Sequence, residues 1–408
     1  MTELVPLRRN RDFLLFQSGS LLSTFGSGIS GIAYPLLTLG LTHSAAKTGY
    51  VGALEFLPLV LLSAPAGVAA DRFDRRRLMI GSDMLGAIAL GLLAVAVLTG
   101  QVEYWMIAAV AFVDMSAGVV YRSGSSGAMK AVVPQPQLAD ASSVAMARMS
   151  TVRLVAPPVG GALYGISRAL PFVVDSVSYF FSTASLLLMR TPFQEERVAG
   201  ARTPFREGLA YFWSIPFLRT TVGMIAASNL VAAGAPIAVI ILAHRDGLSS
   251  TVIGLFVALA GVMLLAGSTL SPLLRRVFPM RLILLSEFWM GLVYVAFLIY
   301  PSVYVLAVCV ALHAFWFPNT DSAIAAYSYL LIPDRLLGRA MAAAQTLRAA
   351  TAPLGPLLAG LLLAHTSAQL AIGILAAPVV IAAVLGTLSP AIRDLPNLSS
   401  EASPAAAG

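Results

Sequence analysis

Charged side chains are scarce in this sequence, and their scarcity excludes most soluble proteins. Only 11% of the 408 residues are Asp, Glu, Lys or Arg, whereas about 25% is typical of soluble globular domains. Hydrophobic residues make up 58% and recur in long runs along the whole chain. Runs of 18 or more such residues are long enough to form membrane-spanning helices. We therefore expect a multi-pass α-helical membrane protein without a large soluble domain.

Cysteine, histidine and the common catalytic motifs are also rare or missing. Cys309 is the single cysteine, which excludes an intramolecular disulfide and a cysteine-based metal site. The sequence has no Walker loop, no His-Glu-x-x-His pair and no Gly-x-Ser-x-Gly, and its four histidines are widely scattered. We expect a protein that is not an enzyme and that uses no cofactor and no metal. A membrane-embedded enzyme is the less favoured alternative.

Charged and Pro- or Gly-rich breaks divide the chain into twelve apolar segments. The first six are predicted near residues 13–41, 48–70, 78–99, 103–128, 138–166 and 169–189. The second six are predicted near residues 218–243, 251–274, 281–300, 302–329, 338–364 and 367–388. These segments predict a six-helix bundle at 1–189, a cytoplasmic linker at 190–219, a second bundle at 220–388 and a disordered tail at 389–408.

The distribution of Lys and Arg predicts the orientation of these segments. With the N-terminus inside, the inner loops contain 19 of these residues, whereas the outer loops contain 3, namely Lys47, Arg168 and Arg245. Because basic residues near the ends of spans are retained in the cytoplasm, we expect both termini inside and a location in the cytoplasmic membrane. The net charge of +7 then reflects topology in the lipid bilayer and predicts no nucleic-acid partner.

The two halves of the chain resemble each other when one is shifted by about 199 or 200 residues. A shift of 199 places Pro134 on Pro333, and a shift of 200 places Arg75 on Arg275. Nearly equal offsets at separate places indicate an internal duplication. Parallel six-span repeats around a central cavity are a known plan of transporters. We therefore expect an all-α fold of two six-helix bundles with pseudo-twofold symmetry and twelve transmembrane helices, in a monomer.

The second predicted span ends in GVAADRFDRRRL at residues 67–78. The segment resembles the Gly-x-x-x-Asp-Arg-x-Gly-Arg-Arg motif of the major facilitator superfamily, which it matches at Gly67, Asp71, Arg72, Arg75 and Arg76. Asp74 stands where the family has glycine. An acid at the inner end of a span can pair with arginines or with a helix N-terminus and so stabilise one conformation. The resemblance implies gating by Asp71, Arg72, Arg75 and Arg76; the alternative for the arginines is that they only enforce topology.

The fifth predicted span contains VRLVAPPVGGALYG at residues 152–165. This stretch is similar to the antiporter signature of exporters in the same superfamily, which it matches at Pro157, Gly160 and Gly161. Val152 and Ala156 replace the first two glycines of the signature. The similarity favours export over uptake. A pure packing role is the alternative, because small residues let helices approach closely and proline bends them.

Further stretches are similar to the drug and siderophore exporters of the superfamily. They are DSVSYFFSTASLLL in the sixth span, FPNT at 317–320 and GRAMAAAQTLRAATAPLGPLLAG at 338–360. This resemblance covers essentially the whole chain. It implies secondary active efflux of small organic, lipophilic or amphipathic multidrug-type solutes by proton antiport with alternating access. Proton-coupled or facilitated uptake is the alternative.

Ionisable residues inside apolar spans are a second indication of function, because such residues normally face a cavity or a partner. Asp114 and Arg122 in the fourth span correspond, under the shift of 199, to His313 and Asp321 in the tenth. Eight residues leave the members of each pair roughly 80° apart around a helix, so both can face one cavity. We predict a proton-coupling and substrate cavity at these four residues, with Glu55 as the next acid.

Three further expectations concern how these residues are neutralised. We expect Arg122 to pair with Asp321 or Asp114, and the alternative is a fixed ion pair that joins the two halves. We expect Glu287, near the inner end of the ninth span, to form contacts between helices. Asp175 lies close to the predicted outer end of the sixth span, so we expect it to be solvated.

Overall fold

The computed structural model describes residues 6–193, 212–333, 341 and 344–395, and long α-helices account for nearly all of this part of the chain. The first half contains α1 (Arg11–Thr42), α2 (Ala45–Arg72), α3 (Arg75–Leu98), α4 (Tyr104–Val132), α5 (Leu138–Ile166) and α6 (Leu170–Leu188). The second half contains α7 (Pro216–Arg245), α8 (Ser250–Val277), α9 (Met280–Trp289), α10 (Val303–Leu331), α11 (Leu354–His365), α12 (Ala368–Leu388) and the short α13 (Pro390–Arg393).

The all-α prediction is confirmed, and no strand occurs in the ranges just given. Ten of the described helices are long and apolar enough to cross a membrane. One of these candidate spans continues α9 through a 3₁₀ segment to Ile299, and another begins at Ala344, before α11. Helices α1 and α5 fall outside this group of ten. Helix α1 contributes three serines and a threonine, and α5 contributes one arginine, to the cavity described below.

Polar side chains at the helix starts explain where several helices begin. Asn10 accepts a hydrogen bond from the backbone N–H of Phe13 at 3.1 Å and caps α1. Asp74 accepts one from the backbone N–H of Arg77 at 2.8 Å and caps α3. An N-cap side chain of this kind satisfies a helix donor that would otherwise lack a partner. Asp74 has a φ of −63°, so glycine is not needed at this position of the motif.

The chain forms two compact units. The first unit comprises Met1–Gly200 and Ile240–Ala258, and the second comprises Ala201–Val239 and Leu259–Gly408. This division by packing assigns Ile240–Ala258 to the first unit, so it does not follow the order of the sequence. The predicted domain boundaries at 189 and 220 stay a prediction. Most of the predicted linker (residues 194–211) and most of the predicted tail (396–408) lie outside the described residues.

Small residues set the spacing of the helices in the first unit. A Cβ atom at Gly19 of α1 would lie 2.9 Å from the Ser185 Cβ of α6, and one at Gly28 would lie 2.6 Å from the Ala156 Cβ of α5. Because lipid is as apolar as a leucine side chain, helices in a membrane associate through such close packing and through hydrogen bonds between helices. The polar groups on α1 are therefore held directly against those of its neighbours.

The second unit is packed in the same way. A Cβ atom at Gly234 of α7 would lie 2.6 Å from the backbone oxygen of Gly355 in α11. Gly267 of α8 lies against the backbone of Phe315 in α10, and Asn319 donates a hydrogen bond to the Gly267 carbonyl at 3.2 Å. Backbone-to-backbone approach of this kind is possible because glycine has no side chain.

Candidate functional site

Asp114 on α4 lies at the centre of a polar network in the first unit. Tyr179 of α6 donates a hydrogen bond to Asp114 Oδ1 at 2.7 Å, and Tyr34 of α1 donates one to Oδ2 at 3.1 Å. The Tyr179 hydroxyl also lies 3.1 Å from Ser27 Oγ on α1. Only 6% of Asp114 is exposed, and Tyr34 packs on Phe172 with ring centroids 5.3 Å apart. One carboxylate therefore connects three helices.

Asp175 on α6 is a second carboxylate of this network, and the expectation that it is solvated is wrong. Its exposed fraction is 0%. Ser30 of α1 donates a hydrogen bond to Oδ2 at 2.5 Å, and Ser178 donates one to Oδ1 at 3.2 Å. The absence of a side chain at Gly26 leaves room for Asp175 and Ser178. Asp175 is buried because α1 covers this part of α6. The position of Asp175 near the end of the predicted span gave no indication of this contact.

Glu55 on α2 adds a third acid to the same region. It lies within electrostatic range of Asp114, and its buried Oε1 has no hydrogen-bond partner among the described residues. The ion pairs found among the described residues include neither Glu55 nor Asp114 nor Asp175. Three carboxyl groups thus share one apolar region without a Lys or Arg partner in that part of the chain.

A cavity of about 130 Å³ in the first unit lies beside this network. Its wall includes hydroxyl side chains of α1, the guanidinium-bearing Arg122 of α4 and Arg148 of α5, and Tyr179, which also contacts Asp114. Arg122 does not pair with Asp114 in this structure. The Asp114 carboxylate oxygens accept hydrogen bonds from tyrosine hydroxyls, and the Arg122 guanidinium lies 4.0 Å from Met115 Sδ. Arg148 donates a hydrogen bond to Gln17 Oε1 at 2.6 Å.

His313 on α10 belongs to a separate buried cluster in the second unit, and only 4% of it is exposed. Its Nδ1 lies 3.3 Å from the Tyr294 hydroxyl, and its Nε2 lies 3.8 Å from Glu287 Oε1. Ser228 of α7 also hydrogen-bonds to Glu287. Glu287 therefore forms contacts between helices α7, α9 and α10, as expected.

Asp321 pairs with Arg348, a partner that the sequence analysis did not predict. The Arg348 Nη1 atom lies 3.0 Å from Asp321 Oδ1, and the side chains are 12% and 60% exposed, respectively. The Arg348 carbonyl accepts a hydrogen bond from Asn229 Nδ2 of α7 at 2.6 Å. Both members of the ion pair lie in the second unit, so this pair is neither the predicted one with Arg122 nor one that joins the halves.

The proposed gating residues differ in their surroundings. Asp71 at the end of α2 has an 80% exposed side chain and lies 4.0 Å from Arg75 Nη2. The Arg76 guanidinium donates hydrogen bonds to the carbonyl oxygens of Leu186, Leu187 and Met189 at 2.5 to 2.8 Å. These carbonyls end α6, where a cation is favoured by the helix dipole. Arg76 therefore connects α3 to α6, and gating by Asp71, Arg72, Arg75 and Arg76 stays a prediction.

The antiporter-like motif lies where α5 is closest to its neighbours. Helix α5 continues through Pro157, and a Cβ at Gly160 would lie 2.7 Å from the Ile29 carbonyl oxygen of α1. Gly161 lies against the backbone of Ser250, in the part of α8 that belongs to the same unit, and a Cβ at Gly254 would lie 2.5 Å from the Pro157 carbonyl oxygen. These contacts support the packing role, and the export role stays a prediction.

Sequence reasoning missed that Tyr34 and Tyr179 bind Asp114, and it misjudged Asp175, which extends the same network. The Asp-x-x-Ser-Tyr spacing from Asp175 to Tyr179 was a usable signal, because it places a carboxyl and two hydroxyl groups within about one helical turn. The serines of α1 recur at a similar spacing. The sequence alone did not show that this face of α6 packs against the serine-bearing face of α1.

Comparison with known proteins agrees with this architecture. The family profile described as "Transmembrane secretion effector" (MFS_3) matches residues 1–406. The multidrug efflux pump Tap of Mycolicibacterium fortuitum is 24% identical over 404 residues, which cover 94% of this chain and 96% of that protein. Macrolide efflux protein A of Streptococcus pyogenes is 24% identical over 203 residues, 48% of this chain. The chain therefore spans about half the length of the macrolide efflux proteins that it matches, 50% in this case.

Solved structures show the same fold. The nucleoside transporter NupG superposes with a TM-score of 0.70 at 13% identity and covers 92% of this chain and 98% of its own. A bacterial homologue of the iron transporter ferroportin superposes with a TM-score of 0.64 at 18% identity, over 93% and 98%. The fold is thus that of a multi-pass membrane transporter. The chain belongs to the transmembrane secretion effector family of the major facilitator superfamily, which confirms the resemblance found in its motifs.

Proposed function

We propose that this transporter exports small organic molecules across the cytoplasmic membrane in exchange for protons, by alternating access. The observation that carries the proposal is the cluster of Glu55, Asp114 and Asp175, three carboxyl groups in one apolar region with no cation paired to them among the described residues. An ionised side chain inside a membrane costs several kcal/mol unless it is paired or hydrated. A proton that moves on and off such a cluster relieves that cost.

Asp114 is the proton site in this mechanism. An ionised carboxylate accepts hydrogen bonds at both oxygens, as Asp114 does from Tyr34 and Tyr179, whereas a protonated carboxyl must donate one. A protonated carboxyl accepts hydrogen bonds more weakly than a carboxylate, so protonation weakens the contacts with the two tyrosine hydroxyls. Because Tyr34 and Tyr179 lie on α1 and α6, the proton changes the contacts between helices, and the two protonation states favour different conformations.

Tyr179 links the proton site to the solute. Its hydroxyl contacts Asp114, and its side chain forms part of the wall of the cavity that contains Arg122. Solute and proton then bind to neighbouring sites that share one side chain. Coupling through a shared conformation is reciprocal, so a solute that favours one state changes the affinity for the proton by the same factor.

Export is favoured over uptake by the names of the relatives, which are efflux proteins, and by the partial antiporter motif at Pro157, Gly160 and Gly161. Both termini are proposed to lie in the cytoplasm, and the working unit is proposed to be a monomer. The role of Asp71 is to stabilise one conformation at the inner face.

The proposal is tested by accumulation of antibiotics, dyes and siderophores in cells that express the chain. Cells with the parent chain should accumulate less of at least one solute, and collapse of the proton gradient should abolish the difference. Asp114→Asn should accumulate that solute like cells without the transporter, at a normal amount of protein in the membrane. Asp140→Asn, which changes an exposed acid in the first turn of α5, is the matched control and should behave like the parent. Full proton-dependent efflux by Asp114→Asn would refute Asp114 as the proton site.

A further inference from the structure

Arg122 and Arg148 line one cavity of the first unit together with hydroxyl side chains and without a carboxylate. No ion pair found among the described residues contains either arginine. The Nε atom of Arg148 is buried and has no hydrogen-bond partner in that part of the chain. Its Nη1 atom contacts the neutral Gln17.

Two guanidinium groups at the depth of a membrane span require an anion or water. A charged side chain there normally pairs with an opposite charge or faces a water-filled cavity. The planar guanidinium group is suited to bind a carboxylate, sulfonate or phosphate through two parallel hydrogen bonds. The serine and threonine hydroxyls of the cavity wall add polar groups; those of Thr24, Ser27 and Ser125 donate to backbone carbonyls and must rotate to donate to an anion. The cavity therefore has the chemistry of an anion-binding site.

The second unit indicates what the first unit lacks. A shift of 199 places Arg122 on Asp321, and a shift of 200 places Arg148 on Arg348. In the second unit these two positions form an ion pair, with 3.0 Å between Arg348 Nη1 and Asp321 Oδ1. In the first unit the position of the acid is occupied by a second arginine. The chain itself does not provide the carboxylate that would complete the corresponding pair.

We propose that the solute provides the missing acidic group. The exported molecules are amphipathic organic compounds whose acidic group binds to Arg122 and Arg148. The cavity volume of about 130 Å³ is below the roughly 300 Å³ or more of a site that encloses a drug-sized molecule. It accommodates the acidic group, while the rest of the solute lies outside it. An inside-negative membrane potential favours outward movement of such a group. This inference rests on the proposed export function and adds the solute class.

The test compares rhodamine B, which has a free carboxylate, with rhodamine B ethyl ester, which has the same ring system and the same cationic centre. Binding is measured by fluorescence polarisation with the full-length chain in nanodiscs of neutral lipid. The parent should bind the free acid roughly 10- to 100-fold more tightly than the ester, as expected for hydrogen bonds to a charged group. Arg122→Gln and Arg148→Gln should each bind the two dyes about equally, because the affinity for the acid falls to that for the ester.

Two control variants keep the result interpretable. Arg153→Gln removes an exposed arginine of α5 that is not part of the cavity wall and should keep the full preference for the acid. Arg122→Lys keeps the charge without the planar fork and should keep part of the preference. Unchanged binding of the ester by each Gln variant shows that the variant is folded.

Four results would overturn the inference: equal binding of both dyes by the parent, no binding of either dye, a preserved preference in the Gln variants, or loss of dye binding when anionic lipid is added. The last result would assign the site to a lipid headgroup. Efflux from sealed proteoliposomes of the same neutral lipid separates this inference from the proposed function. Equal proton-driven efflux of the acid and the ester would refute the acidic solute class and would still support proton-coupled export. A binding preference for the acid without proton-driven efflux would support the anion site and would refute the proposed function.

Discussion

Replacing Tyr179 with phenylalanine removes one hydroxyl group and keeps the ring. The hydroxyl donates to Asp114 Oδ1 at 2.7 Å and contacts Ser27 at 3.1 Å, and the ring is buried in the apolar core around Leu90 and Ile107. A hydrogen bond to a charged group contributes about 1.5–3 kcal/mol. Its loss disfavours the ionised form of Asp114 relative to the protonated form by that amount.

The expected result is a shift in the pH dependence of transport. At about 1.4 kcal/mol per pH unit, the loss moves the pH midpoint of the transport rate upward by roughly one to two units. Tyr34→Phe removes the longer bond of 3.1 Å and should give a smaller shift in the same direction. Initial efflux rates from proteoliposomes, measured over a range of equal inside and outside pH, report the midpoint.

Two controls decide whether the shift acts through Asp114. Tyr164→Phe makes the same chemical change at a tyrosine of α5 outside the network and should leave the midpoint in place. In an Asp114→Asn background, which still binds the solute, Tyr179→Phe should leave the pH dependence of solute binding unchanged, because no carboxylate remains to be stabilised. An unchanged midpoint in Tyr179→Phe alone, at normal protein abundance, would refute the assignment of Asp114 as the titrating group.

Four further predictions concern gating, packing, ion pairing and topology. Asp71→Asn should lower transport several-fold while binding and abundance stay near normal, and transport equal to the parent at matched expression would contradict the gating role. Gly160→Ala should destabilise the detergent-solubilised protein by about 1–3 kcal/mol, because the new Cβ meets the backbone of α1, whereas Gly31→Ala, which meets nothing within 4 Å, should not lower its thermal midpoint. Asp321→Asn should lower abundance, because it leaves Arg348 unpaired, without shifting the pH midpoint; a shifted midpoint at normal abundance would instead make Asp321 part of the proton site. Reporter fusions placed after Arg9, Arg206 and Ser400 should all report a cytoplasmic location. One clear external signal would reject the topology.

The helices could be predicted from the sequence because their limits depend on local features. Apolar runs of membrane length set most of them, and side chains such as Asn10 and Asp74 cap the ends. Charge inside an apolar span also singled out Asp114 and Arg122 as candidate site residues, because such residues are costly in a membrane. These inferences needed no knowledge of which helices touch.

The partners of the charged residues could not be predicted, because they come from distant parts of the chain. Tyr34 lies 80 residues and Tyr179 lies 65 residues from Asp114. In the internal repeat, Asp321 is the position equivalent to Arg122. The partner of Asp321 is nevertheless Arg348, which lies 27 residues further along the chain. Asp175 was misjudged because proximity to a helix end matters less than coverage by α1, which the small residue Gly26 allows.

Exchange of protons for solute is tested most directly by the proton flux that a solute gradient drives. Proteoliposomes containing the parent chain, a pH-sensitive dye inside and no initial pH gradient would be given an outward gradient of a transported solute. Proton antiport predicts that the interior acidifies as the solute leaves, and that Asp114→Asn binds the solute but gives no acidification. Solute efflux from the parent without any change in internal pH, or the same acidification with Asp114→Asn, would contradict it.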